Sequence, residues 1–239
     1  TSVNKLYQEA FKKNWDRPAI SNYHGETLHY KDVARRMEKL HIMFEECGLE
    51  KGHKVAICSR NQANWAVTFL AIMTYGAVPV PLLHEFKSAN IHHLVNHSEA
   101  KILFVDDVIW EGLSESEMPD LQAIIQVNTF KILYAADERI VEAKNHLNEL
   151  FGRKYPEAFE PQMLDYYEDS EDELAVINYT SGTSGFSKGV MIPYRAILSN
   201  LQFAKKVLPQ LNDKSRVVSM LPCAHMCALM LGVRCKHPR

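Results

Sequence analysis

Residues 54–83, KVAICSRNQANWAVTFLAIMTYGAVPVPLL, govern how the rest of the chain is read. Lys54, Val55, Ala56, Ile57 and Cys58 make a compact apolar run of strand length. Residues 61–83 contain no Asp, Glu, Lys or Arg, and a membrane-spanning helix needs ~20 predominantly apolar residues. Gly76, Pro79 and Pro81 interrupt the second half, where a helix could not continue cheaply. The stretch therefore predicts a strand, a helix from near Asn61 to about Tyr75, a turn at Gly76 and a short buried strand over 77–80.

The same rhythm extends in both directions. Thr27, Leu28, His29 and Tyr30 read as a short strand, and Asp32 is placed to cap a helix running from Val33 to Cys47. Gly48 stops that helix and Gly52 lies in the following turn. A helix over 90–97, a strand over 101–105 ended by Asp106 and Asp107, and a further strand over 123–127 follow. Alternating strands and helices argue for an α/β fold with a mostly parallel sheet flanked by helices. The pattern loosens between about Tyr134 and Asp172, with a surface helix expected over 138–151 and breaks at Pro156 and Pro161. The acidic run 168–173 reads as a solvated connector before an apolar strand over 174–179. We divide the chain into an amino-terminal α/β subdomain, 1–165, and a second segment, 166–239.

Composition removes several function classes. A formal charge of −2 provides no basic field for nucleic acid. Five cysteines, an odd count without framework spacing, fit a reducing cytoplasm better than a secreted disulfide scaffold. The first twenty residues lack the apolar core of a signal peptide.

The second segment carries the stretch with the most chemistry: Tyr179 to Val190, YTSGTSGFSKGV. Hydroxyls and exposed backbone N–H groups are what phosphate oxygens hydrogen-bond to, and glycines let the backbone bend into a nest of such donors. Lys188 adds a mobile positive charge. Thr180, Ser181, Thr183 and Ser184 around Gly182 and Gly185 therefore read as a triphosphate cradle; the bland alternative is a flexible Gly/Ser surface loop. It is no Walker A loop, because Ser187 precedes the lysine, Gly189 follows it, and Val190, Met191 and Ile192 return as a strand. The pattern is a glycine-rich hairpin.

YTSGTSGFSKGV resembles the phosphate-binding signature of the AMP-forming adenylating enzymes, Thr-Ser-Gly-Thr-Thr-Gly-x-Pro-Lys-Gly. Ser184 stands for the second threonine and Ser187 for the proline. The resemblance extends to residues 27–33, 48–57, 61–65 and 75–82, and to Leu221-Pro222-Cys223-Ala224-His225, whose spacing is similar to that of long-chain fatty acyl-CoA synthetases. It implies an enzyme that joins a carboxylate to ATP, releases pyrophosphate and passes the acyl group to coenzyme A, with Mg2+ bridging phosphate oxygens. Thr180, Ser181, Gly182, Thr183, Ser184 and Gly185 would cradle the β- and γ-phosphates, with Thr183 also serving the metal. Lys188 would neutralise charge there, and His225 would orient the acyl carboxylate.

The same resemblance implies that the adenine-binding motif, the ribose-binding aspartate and the mobile carboxy-terminal domain lie beyond residue 239. It follows that this chain is an amino-terminal part with negligible ligase activity alone. The competing reading is a non-catalytic ATP-binding or partner-supporting module. Removal of the remainder would expose apolar surface, from which self-association is expected; peripheral membrane association of the parent enzyme is a further expectation.

Other clusters have plainer readings. Cys223, His225, Cys227, Cys235 and His237 are dense enough to suggest zinc, but their spacing is not that of paired ligands, and a buried cysteine set beside one site histidine competes with it. His93 and His97 share a helix face, which reads as an amphipathic helix with polar histidines outward. Trp65, Phe69, Ile72 and Met73 read as core. Arg195 reads as a solvated helix start, with phosphate contact as the alternative.

Overall fold

A computed structural model describes residues 1–22, 24–180, 188–207, 216–218 and 234–236. The chain opens with helix α1 (Val3–Lys13) and an antiparallel pair, β1 (Pro18–Ser21) and β2 (Thr27–His29). Helix α2 (Tyr30–Glu46) follows, then β3 (Lys54–Cys58), α3 (Ala63–Tyr75), β4 (Val78–Leu82), α4 (Ser88–His97) and β5 (Ile102–Val105). A short helix α5 (Asp107–Trp110), β6 (Ala123–Gln126), β7 (Ile132–Ala135), α6 (Glu138–Asn145) and α7 (Leu147–Lys154) complete the first segment. The second contains β8 (Leu174–Thr180), β9 (Lys188–Pro193), α8 (Tyr194–Val207) and two three-residue strands, β10 (Arg216–Val218) and β11 (Arg234–Lys236), which pair in parallel.

The central sheet has the order β4-β3-β5-β6-β7, parallel except for β7. Its strands are apolar on both faces because both faces are covered. Val55, Ile57, Ile102, Phe104 and Ile125 pack against α2 and α3, while Ala56, Cys58, Leu103, Val105 and Ile124 pack towards α4 and β8. This alternation is the period of a strand. Trp65 and Phe69 stack 5.3 Å apart inside the first cluster. No helix among the described residues is long and apolar enough to cross a membrane; the charge-free stretch is α3, buried from end to end, followed by β4.

Gly76 makes that division. At φ +92° it caps α3, its N–H directed to the carbonyls of Ile72 and Met73. A Cβ there would lie 2.8 Å from the Tyr167 ring. The prolines of β4 fit an edge strand. Val78 N–H donates to the His53 carbonyl at 2.8 Å, so the alternate positions Pro79 and Pro81 face away from β3. With no N–H to offer on that side, β4 has β8 packed against it without joining it to the sheet.

Four expectations change. Asp32 is the third residue of α2, not its cap: its carboxylate accepts the His29 backbone N–H at 2.8 Å, reaching back over the first turn. The helix expected over 138–151 is two, divided at His146, whose φ of −109° and ψ of 18° leave the helical region. α7 runs on to Lys154, bringing Phe151 against Tyr155 and Phe159. Strand β7 was not expected; it begins at Ile132, before the loosened region, and ends just inside it. The acidic run is also more than a connector, because Asp169 is buried. It accepts hydrogen bonds from Ser2 Oγ at 2.6 Å, Val3 N at 3.0 Å and Asn4 N at 2.8 Å, satisfying orphan donors at the start of α1.

Candidate functional site

The glycine-rich stretch is flanked by an antiparallel pair. β8 and β9 pair from Leu174 opposite Pro193, through a register shift between Leu174 and Val176, to Thr180 opposite Lys188. This pairing brings the two ends of the stretch together, with seven residues, 181–187, between them. From Thr180 to Pro193 there is no acidic side chain, so nothing in that span repels an anion. Lys188 is exposed at the mouth of the pair. Ser181, Gly182, Thr183, Ser184 and Gly185 lie outside the described residues, as do His225 and Cys223; for Thr180 the strand position is described.

Several contacts hold this pair in place. Tyr179, buried, hydrogen-bonds through its hydroxyl to His97 Nδ1 of α4 at 2.7 Å, with the two rings edge-on at 5.7 Å. Burial pushes the Tyr179 hydroxyl's pKa up, so it stays protonated at neutral pH. Gly189 is opposite Tyr179 in register, and a Cβ on it would meet the tyrosine ring at 3.1 Å. A glycine therefore lets the returning strand lie close to that ring.

Beyond the pair, the Tyr194 hydroxyl accepts from Asn4 Nδ2 at 3.1 Å and donates to the Met73 carbonyl at 3.4 Å. Burial raises its pKa well above the usual tyrosine range. Asp169 fixes the approach to β8 by its bonds to α1. The hairpin strands are thus tied to α1, α3 and α4 by polar contacts remote in sequence.

These supports were not evident in the sequence. Tyr179 and Tyr194 sit in runs whose dominant signal is strand or helix, and Asp169 sits in an acidic run. His97, expected to face outward, does lie at the surface, but it also accepts or donates the bond to Tyr179, as its tautomer dictates. Arg195 ion-pairs with Asp172 across the base of the hairpin, and its main-chain N–H donates to the Glu171 carbonyl at 2.9 Å. Trp65, Phe69, Ile72 and Met73 are core. Among the described residues no cluster of His, Cys, Asp or Glu could hold a metal ion. Cys47 and Cys58 are free and buried, and the Cys223–His237 cluster falls outside the described residues except for the backbone of β11.

The carboxyl ends of β3 and β5 are where an open α/β sheet commonly binds ligands. Here Arg60 pairs with Asp106, its Nε 3.0 Å and main-chain N 2.9 Å from that fully buried carboxylate. Beside the glycine-rich stretch, the β8–β9 pair presents the exposed ammonium of Lys188.

Comparison with known proteins identifies the family and the fold. The profile of the AMP-binding enzyme family matches residues 7–235. The chain is 24% identical over 239 residues to human long-chain-fatty-acid–CoA ligase ACSBG2, covering 97% of this chain and 35% of that protein. It is 29% identical over 216 residues to rat long-chain-fatty-acid–CoA ligase 5, covering 83% and 30%. The fold matches a long-chain-fatty-acid–CoA ligase (FadD1) of Archaeoglobus fulgidus with a TM-score of 0.74, at 22% identity over 97% of this chain and 44% of that one. The Klebsiella oxytoca NpsA N-terminal subdomain matches with a TM-score of 0.71, at 20% identity over 99% and 55%. The chain spans about a third of the length of the curated relatives it matches.

Proposed function

The chain belongs to the AMP-binding enzyme family, and we propose on that footing that it is the amino-terminal part of an acyl-CoA ligase acting on a long-chain fatty acid. The observation carrying this reading is the register that sets Thr180 opposite Lys188 across a Gly/Ser/Thr stretch with no carboxylate. The relatives' names supply the substrate class.

In the parent reaction a fatty-acid carboxylate oxygen attacks the α-phosphorus of ATP, and the bond to the bridging oxygen breaks to release pyrophosphate. The thiol of coenzyme A then displaces AMP from the acyl-adenylate. The negative charge that shifts onto the β- and γ-phosphates is what the hairpin would stabilise, since preorganised donors act most strongly where charge develops. Main-chain N–H groups and hydroxyls of residues 180–185 would hold the phosphate oxygens, and Lys188 would follow them as pyrophosphate leaves. His225 would orient the carboxylate. When bound, Mg2+ would screen the phosphate charge, with Thr183 as a ligand from this segment. Residues 1–165 would form the supporting α/β subdomain and 166–239 the phosphate segment leading into a second one, in a cytoplasmic enzyme.

Titration of ATP into the chain by calorimetry tests this. Binding that weakens about tenfold or more in Lys188→Ala, the loss of a charge-assisted contact, and also in Thr183→Ala, is expected. Equal affinity in all three proteins would sink the reading. A favoured second reading, a module that binds ATP without chemistry, rests on the fraction of the relatives' length spanned. The chain alone is expected to give no pyrophosphate above background from ATP and a long-chain fatty acid under either reading; a parent enzyme carrying the remaining segments is expected to release it under the first reading and not under the second.

A further inference from the structure

A cleft of about 420 Å³ opens on the α2 side of the sheet, away from the hairpin, between α2, the start of α3, the β6–β7 turn and the α6–α7 junction. Ligand sites commonly occupy roughly 300–1,000 Å³, so it is large enough for an organic molecule. Three cations line it, Arg36, Lys39 and Lys144, against one carboxylate, Glu26. That excess is local, since the chain as a whole carries −2.

The cations are arranged, not scattered. Asn64, buried, donates from Nδ2 to the carbonyls of Val127 and Asn128, both at 3.0 Å. This fixes its Oδ1 to accept from Arg36 Nη1 at 2.7 Å. Glu26 takes Arg36 Nη2 at 2.8 Å at the exposed rim, which uses the one carboxylate. Among the described residues Lys39 has a long contact, 3.3 Å, to Asn148 Oδ1 and lies over the Phe151 ring. For the Lys144 ammonium no hydrogen-bond or ion-pair partner occurs among the described residues.

Burial, with Arg35 and Arg36 adding, lowers the Lys39 pKa; burial and Lys39 lower that of Lys144. Two half-buried ammoniums that repel each other are a cost to the fold unless something anionic sits between them. Gln62, the N-cap of α3, lines the same cleft without a capping side-chain bond; the first amide of the helix, Ala63 N–H, donates instead to Asn22 Oδ1 at 2.8 Å, so that helix end is already satisfied and the cations carry the site.

We infer that this cleft is a second anion site, distinct from the β8–β9 hairpin, which takes a small soluble organic phosphate between Lys39 and Lys144. Phe130, half-buried in the β6–β7 turn, with the buried Leu40 and Met43 also lining the cleft, takes the organic part. The site therefore favours a phosphomonoester over inorganic phosphate.

The test is calorimetric titration of the chain with phenyl phosphate, inorganic phosphate and phenol. One saturable site for phenyl phosphate is expected, with weaker binding of phosphate and none of phenol. Lys144→Gln should weaken phenyl phosphate about tenfold or more, the loss of one charge-assisted contact, and Lys144→Arg should restore most of it. Lys188→Ala should leave it unchanged. Failure of saturable binding, equal binding in Lys144→Gln with an unaltered thermal transition, or loss of binding in Lys188→Ala would overturn the site. Since Lys188 belongs to the hairpin, failure here and failure of the ATP reading give different patterns.

Discussion

Asp169 is a single carboxylate on which the start of α1 depends, with the hydroxyl of Ser2 and the amides of Val3 and Asn4 all donating to it. Asp169→Asn keeps the shape but exchanges acceptor oxygen for a donor nitrogen. Hydrogen bonds to charged groups are worth about 1.5–3 kcal/mol, so urea unfolding should show a loss of about 2–3 kcal/mol. Glu38 presents a pH-dependent counterpart. Burial pushes its pKa up, but hydrogen bonds and charge from His41 and Lys154 outweigh it and leave the carboxyl below its ordinary value. A lowered carboxyl pKa contributes stability that is present above the unfolded value and lost as pH falls through the folded one. Unfolding free energy should therefore decline from about pH 5 downwards, and Glu38→Gln should be less stable near neutrality with a flatter acid limb. An unchanged slope in that variant would show that other carboxylates dominate. Neither role is legible in the sequence. Both acids look like surface charge, because the partners that bury them are 165 and 116 residues away in the chain.

At the scale of elements, strands β3, β4, β5 and β6 and helices α2, α3 and α4 are legible, since each is an apolar run bounded by glycine, proline or charge. β7 and the α6–α7 break are not. β7 is half-buried at the sheet edge and lacks a strong alternating pattern, and the register shift beside it follows from tertiary pairing. The β8–β9 pair is legible because an apolar run enters and leaves a glycine-rich stretch, yet its seat on α4 is not. That seat can be probed through Tyr179→Phe, which removes the bond to His97 and should cost about 1 kcal/mol. If the hairpin's position matters to phosphate binding, ATP affinity should fall in the same variant. Gly189→Ala presses a methyl on the Tyr179 ring and should destabilise the chain by about 1–3 kcal/mol. A neutral result in thermal melts would mean that the strand can shift away from the ring.

For the whole molecule, the mostly parallel sheet covered on both faces and the family membership agree with what the residue patterns imply. The strands that flank the candidate site were legible, and its supports, Tyr179 on His97 and Tyr194 on Asn4, were not. The cation-lined cleft was not legible at all, since Arg36 and Lys39 lie on α2 and Lys144 on α6, and only the packing of those helices brings them together. Met191 and Phe203 are each 66% exposed; replacing both with lysine should shift gel-filtration elution towards the monomer if the chain self-associates through them. The most direct measurement is the pattern of amide shifts in 15N-labelled chain on adding ATP. Shifts at Thr180, Lys188 and Gly189 that vanish in Lys188→Ala are predicted. Shifts confined to other parts of the chain, with Thr180 and Gly189 unmoved at saturation, would contradict the assignment of the hairpin as the triphosphate cradle.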